Sequence, residues 1–372
     1  MRSLTKNDGL SVFQLCALTA MCMGMGVPNA NITYLSPYRE GFITNNAVAA
    51  AFTLLSLVPV LLLARAFPGR TLYEYSPELL GKAGGAVLNA LVILLAIWTA
   101  ASEIRPTMNI LRSYLLPHTP VAVTTALMIA AACYALRGGV NSVARCGEVF
   151  FFTAAACLAV AAVMAAPYLD FSYFSRHLRF AGAGETVSAA FSVFSGFFPM
   201  WMLLFFAPFV RRGRLFAPLA ATVAAAGAVF LFMAAVVQSI FGTVLPTEMF
   251  SPLLELSKLI GGDSGLMPER SNIIFMVLYR LLPRFFACVA ALYVAALGIV
   301  AFFPRLSPAA AGTAASVCAY ALLLVPMNEA ETVAAGRLCD LAQVGTLPVI
   351  LLLLAARAFR NRRDKPCACE GL

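Results

Sequence analysis

Of 372 residues, 61% are hydrophobic and 12% charged, against a charged share of roughly 25% in soluble domains, and the mean hydropathy is +0.87. A chain this apolar is an integral membrane protein, which excludes a water-soluble globular fold. A net charge of +9 would suit a nucleic-acid partner, but the placement of the basic residues, taken up below, argues against one.

Stretches without Asp, Glu, Lys or Arg recur at 9–38, 41–64, 83–102, 113–136, 149–169, 186–210, 215–247, 285–304, 306–328 and 341–356. About 20 apolar residues cross a bilayer, so these runs predict ten transmembrane helices. The last run reaches membrane length within "LCDLAQVGTLPVILLLLAARAF". The first lacks a basic leader and a small-residue cleavage site, so the N-terminus is expected to stay on the first helix.

Within that first run lies "MCMGMGVPNAN", residues 21–31, whose glycines, proline and asparagines suit a helix poorly. It predicts a break around Gly24, Met25 and Gly26. After the second run, "FPGRTLYEYSPELLGK" at 67–82 places Leu72, Tyr75 and Leu79 at helical spacing behind a Pro-Gly turn, with Glu78 and Lys82 four apart. This predicts a short interfacial helix. The third run ends in "WTAASEIRPTMNILRSYLLP", and its Glu103 and Arg105 are ionisable groups at membrane depth. Such groups pair, face a cavity or snorkel to the headgroups, and an outer gate is one role for this pair.

The sixth run carries "FSVFSGFFPMW", residues 191–201, with Ser195, Gly196, Phe197 and Pro199 at mid-span. Helices one and six are five apart. Transporters built from two inverted five-helix repeats interrupt those two helices, so that freed backbone groups face a substrate at the midplane. An amino-acid zwitterion suits such a site, its carboxylate at a half-helix N-terminus and its ammonium at freed carbonyls. Each segment taken alone reads as a kink or close-packing glycine; the matched pair favours a cavity. The segment 246–272 reads as a lid or a solvated linker. In the eighth helix Arg280 and Arg284 bracket Pro283, and Tyr293 is a polar tip in an apolar span that either lines the cavity or bonds a neighbouring helix.

Cys16, Cys22, Cys133, Cys157, Cys288 and Cys318 fall within predicted helices and behave as small apolar residues. Cys367 and Cys369 form a lone C-x-C, too little for a metal site. Neither a Ser/His/Asp arrangement nor a zinc, P-loop or dinucleotide motif is present, so no enzyme activity and no cofactor are expected. With the N-terminus inside, 16 of the 26 Lys and Arg residues fall on the cytoplasmic side and 11 of the 17 acidic residues on the other. That asymmetry places both termini in the cytoplasm. The basic tail "RAFRNRRDK" then reads as an anchor against anionic lipid headgroups rather than a nucleic-acid contact.

"FPGRTLYEYSPELLGK", "LRSYLLPHTP" at 111–120, "RGGVNSVARCGEVFF" at 137–151, "FSPLLELSKLI" at 250–260 and "LYVAALGI" at 292–299 together resemble the spore germination permease family. These are B subunits of nutrient-germinant receptors, within the amino acid, polyamine and organocation superfamily. The resemblance covers nearly the whole chain. It implies an all-α, LeuT-like membrane fold of ten helices in two inverted five-helix repeats, over residues 1–358, followed by a cytoplasmic tail, 359–372. It further implies residence in the spore inner membrane, assembly with an A subunit and a lipoprotein C subunit, and recognition of a small nutrient, often an amino acid. A secondary amino-acid transporter of the same fold is the alternative. On the family pattern, Arg105 matches a basic residue near the end of helix three, Gly24 and Gly26 the helix-one break, and Tyr293 a helix-eight tyrosine. Pro199 stands where the family often has a carboxylate. Ala287 replaces a frequent basic residue, with Arg284 a turn away.

Overall fold

The computed structural model describes residues 9–24, 42–116, 118–168, 182–210, 215–241, 255, 269–325 and 329–363. Among these, ten α-helices follow one another: α1 (Val12–Cys22), α2 (Phe42–Ala66), α3 (Leu72–Tyr114), α4 (Val121–Leu136), α5 (Gly139–Ala165), α6 (Ala183–Phe197), α7 (Phe216–Phe241), α8 (Glu269–Phe302), α9 (Pro308–Leu324) and α10 (Glu329–Arg363). Six contain apolar stretches long enough to cross a bilayer: Ile43–Ala66, Leu72–Asn109, Gly139–Val163, Phe216–Phe241, Val277–Phe302 and Ala334–Ala358. Helices α1, α4 and α9 are apolar but shorter. The ten-helix expectation therefore holds, while Met25, Gly26, most of the 246–272 segment, Cys367 and Cys369 lie outside the described residues.

Helix α8 is the axis. Every side chain from Phe285 to Leu297 is buried, as expected of a helix that is apolar all round. Five helices, α1, α3, α4, α5 and α9, pack against it. Alanines and Gly298 let them come close, since small residues allow helix backbones in a membrane to approach. At Gly298 a Cβ would stand 2.4 Å from Ile93 Cγ1 and 2.7 Å from Tyr73 Cζ, so α3 rests directly on the α8 backbone there.

The short helix expected within 67–82 forms as the first segment of α3. Gly69 turns the chain at φ 72, the Thr71 N–H donates to the Glu74 carboxylate at 3.1 Å, and Gly81 at φ 79 separates this segment from the long span. That left-handed φ is one glycine adopts without a Cβ penalty. Leu72 and Tyr75 are buried as the helical spacing requires. Glu78 is held by Arg70, which also donates to the Glu74 carbonyl at 3.2 Å. Arg357 near the end of α10 donates to the Leu79 carbonyl at 3.1 Å.

Candidate functional site: the convergence of two broken helices

Helix α1 starts at a capping box in which Gln14 N–H donates to Ser11 Oγ and Ser11 N–H to Gln14 Oε1, both at 3.1 Å. Its side chains from Ala17 to Met23 are all buried. The helix ends after Cys22: Met23 N–H still reaches the Thr19 carbonyl at 2.9 Å, and Gly24 then turns to φ 65. The break in helix one therefore falls at Gly24.

The sixth helix breaks later than its sequence suggests. Ser195, Gly196 and Phe197 are still α-helical, Ser195 is buried, and the chain tightens to 3₁₀ geometry from Phe198 to Phe205 and again over Ala207–Phe209. Pro199 has no N–H and cannot close the α-helical bond to the Ser195 carbonyl, which moves the change of geometry past the glycine. Trp201 to Ala207 are buried, so the 3₁₀ segment lies inside the protein. Its rings dock one by one: Phe205 on Tyr73 with centroids 5.0 Å apart, and Phe206 on Tyr293 at 5.3 Å and 25° between planes. Tyr293, fully buried, thus meets the broken part of helix six. The Trp201 indole N–H donates to Gln343 Oε1 of α10 at 2.7 Å.

Beyond the 3₁₀ segment the start of α1 meets the end of the sixth helix. The Leu10 N–H, just ahead of α1, donates to the Phe209 carbonyl at 2.9 Å, and the Gly69 N–H to the Pro208 carbonyl at 3.1 Å. These bonds tie the start of α1 and the α2–α3 turn to the end of the sixth helix.

Charge gathers beside the α1 break. Arg284 Nη1 of α8 stands 3.3 Å from Glu103 Oε2 of α3, both side chains mostly buried. Cys22, two residues before Gly24, and Cys288 of α8 both lie within electrostatic reach of Glu103. Arg105 turns elsewhere: its guanidinium donates to the Leu322, Leu323 and Val325 carbonyls at the end of α9. Glu103 and Arg105, neighbours in sequence, therefore serve different partners. A third ionisable group, Asp340 of α10, feels the charges of both Glu103 and Arg284. Asp340 and Gln343 lie outside the sequence-derived set. Their signal was a carboxylate and an amide three residues apart within the membrane-length stretch Ala334–Ala358, spacing that puts both on one face.

The arrangement joins helix ends, an aromatic wall of Phe205, Phe206 and Tyr293, and an ion pair, all inside an apolar bundle. Residues 42–331 match the model of a protein family described as spore germination protein. Among solved structures the chain is similar to Mhp1, a nucleobase-cation-symport-1 family transporter in a closed conformation with bromovinylhydantoin bound. The TM-score is 0.67 at 14% identity, over 95% of this chain and 80% of that one. It is also similar to MhsT in complex with L-phenylalanine, with a TM-score of 0.61 at 14% identity, over 92% of this chain and 98% of that one. No curated protein matches the chain. The fold is that of LeuT-type transporters, with helices one and six interrupted.

Proposed function

The chain belongs to the spore germination protein family, and on that premise we propose that it is the membrane subunit of a nutrient-germinant receptor. A small nutrient, an amino acid, binds where α1, α3, α6 and α8 converge and shifts the receptor towards the state that triggers germination. The observation that carries this reading is the break at Gly24, where α1 stops just past the buried residues Ala17 to Met23. Freed carbonyls at such a helix end suit an ammonium group, and a half-helix N-terminus at a break suits a carboxylate. Met25, Gly26, Gly196 and Phe197 belong to the same proposed site. The A subunit and the lipoprotein C subunit are its proposed partners, and the spore inner membrane, with both termini cytoplasmic, its place.

The likeness to transporters supports a second reading, a secondary amino-acid transporter. Proteoliposomes containing the chain alone, given labelled amino acids, separate the two. Binding without flux is expected of the receptor subunit; concentrative uptake would favour the transporter. If spores lacking the chain answered every nutrient normally and the purified protein bound none of them, the receptor reading would fail.

A further inference from the structure

We propose that α2 and α6 hold a small neutral guest of hydroxyl or amide chemistry between Asn45 and Thr186, with Asn46 beside it, at a site apart from the break at Gly24. The side-chain oxygen and nitrogen of Asn45 and of Asn46, and the Thr186 hydroxyl, are buried without a hydrogen-bond partner among the described residues. The three residues are 1%, 2% and 3% exposed. Both asparagines lie inside the apolar stretch Ile43–Ala66, where polar side chains are expensive to bury. Buried polar groups are otherwise paired in the large majority of cases, and a carboxamide left alone costs its full desolvation.

The register of the two helices brings Asn45 and Thr186 together. Helix α6 packs chiefly on α2. Phe52 and Phe194 meet with ring centroids 6.1 Å apart, and further along the Gly69 N–H bonds the Pro208 carbonyl, so the two helices run side by side in the same direction. Asn45 stands seven residues before Phe52 and Thr186 eight before Phe194, two turns back on each helix and on the stripe that carries the ring. Thr186, Ala189, Ala190 and Val193 are buried while Val187 is exposed, so Thr186 belongs to the face of α6 turned to α2. Asn46 shares the buried side of α2 with Ala49 and Thr53, opposite the exposed Ala47.

The atoms define the guest. Each carboxamide presents two N–H donors and a carbonyl acceptor, and the hydroxyl presents one donor together with acceptor lone pairs. A cation would take the oxygens and leave the amide hydrogens unpaired; an anion would do the reverse. A guest that both donates and accepts serves them all. The three residues bring no charge, and Glu185, next to Thr186, is exposed. Water, a small alcohol and a small amide share this chemistry. The site depends on neither reading under Proposed function, because none of its residues belongs to the nutrient site.

The test uses the full chain in lipid nanodiscs, with glycerol and acetamide as probes. Asn45→Leu and Thr186→Val remove the polar atoms at similar volume. With a guest shared between the two residues, either change should lower the unfolding midpoint, and both together should lower it by less than the sum. Without a guest, each change should raise the midpoint or leave it unaltered, since it removes an unpaired buried polar group. A second measurement does not depend on those variants folding. In protein carrying ¹⁵N-asparagine, magnetisation should pass from water or probe protons to the Asn45 side-chain amide, whose signal is assigned by its loss in Asn45→Gln. Transfer from water alone identifies water as the guest. Saturable transfer from glycerol or acetamide, with a rise in midpoint missing in Asn45→Leu, identifies a solute. Midpoints that rise or stay unaltered, additive losses, or no transfer from either source would overturn the proposal.

Discussion

The Arg105 guanidinium of α3 donates to the Leu322 carbonyl of α9 at 2.7 Å, and reaches the Val325 and Leu323 carbonyls at 2.9 and 3.0 Å. The last carbonyls of a helix have no partner of their own, and a cation there also meets the negative end of the helix dipole. Arg105 therefore caps α9 from a different helix. Arg105→Ala should destabilise the protein by about 1–3 kcal/mol, the cost of leaving such groups unpaired. Lysine should recover only part of this, since it lacks the planar fork that spans several acceptors. Thermal unfolding in detergent checks both variants.

What the sequence could reveal follows the range of each interaction. Gly24 was legible because a glycine-proline cluster in an apolar run has few other uses, and the Thr71–Gly81 segment because its turn and spacing are local. The partners of Glu103 and Trp201 were not, since they lie 181 and 142 positions away. Composition alone cannot choose between Arg105 and Arg284 as the partner of Glu103. Helix geometry at residue 103 decides it, pointing Arg105 at α9 and Glu103 at α8. In the sixth helix Pro199 was visible as a breaker, but its effect falls on the hydrogen bond four residues back, so Ser195 and Gly196 stay α-helical and the change to 3₁₀ geometry starts at Phe198.

The Trp201–Gln343 bond at 2.7 Å is buried on both sides. Gln343→Leu strands the indole N–H and should cost about 1–3 kcal/mol, whereas removing both polar groups, as in Trp201→Phe with Gln343→Leu, should cost less than the sum of the two. A double-mutant cycle on the unfolding midpoint should give a coupling of about 0.5–3 kcal/mol. Additive effects would show that the bond does not hold the 3₁₀ segment to α10.

Gly298 marks the closest approach of α3 to α8. A methyl group there would lie 2.4 Å from Ile93 Cγ1 and 2.7 Å from Tyr73 Cζ, and Tyr73 is pinned by its bond to the Val294 carbonyl at 3.1 Å. Gly298→Ala should therefore overpack the interface and cost about 1–3 kcal/mol. Adding Ile93→Ala, which removes the nearer obstacle, should restore part of the unfolding midpoint.

The backbone at Gly24 offers a sharper test, because there conformation and proposed function meet. At φ 65 the residue sits in the left-handed region, which costs an ordinary L-residue about 1–2 kcal/mol and asparagine less. A β-branched residue is disfavoured there more strongly still. Stability should then fall in the order Gly, Asn, Ala, Val. If the end of α1 holds a nutrient, affinity for labelled amino acids should fall in the same order, by more than the loss of stability explains, because a side chain also intrudes where backbone carbonyls must be reached. Equilibrium binding and unfolding midpoints measured on the same four proteins separate the two contributions. Valine binding nutrient as tightly as glycine would leave the break at Gly24 a packing feature and move the nutrient site away from α1.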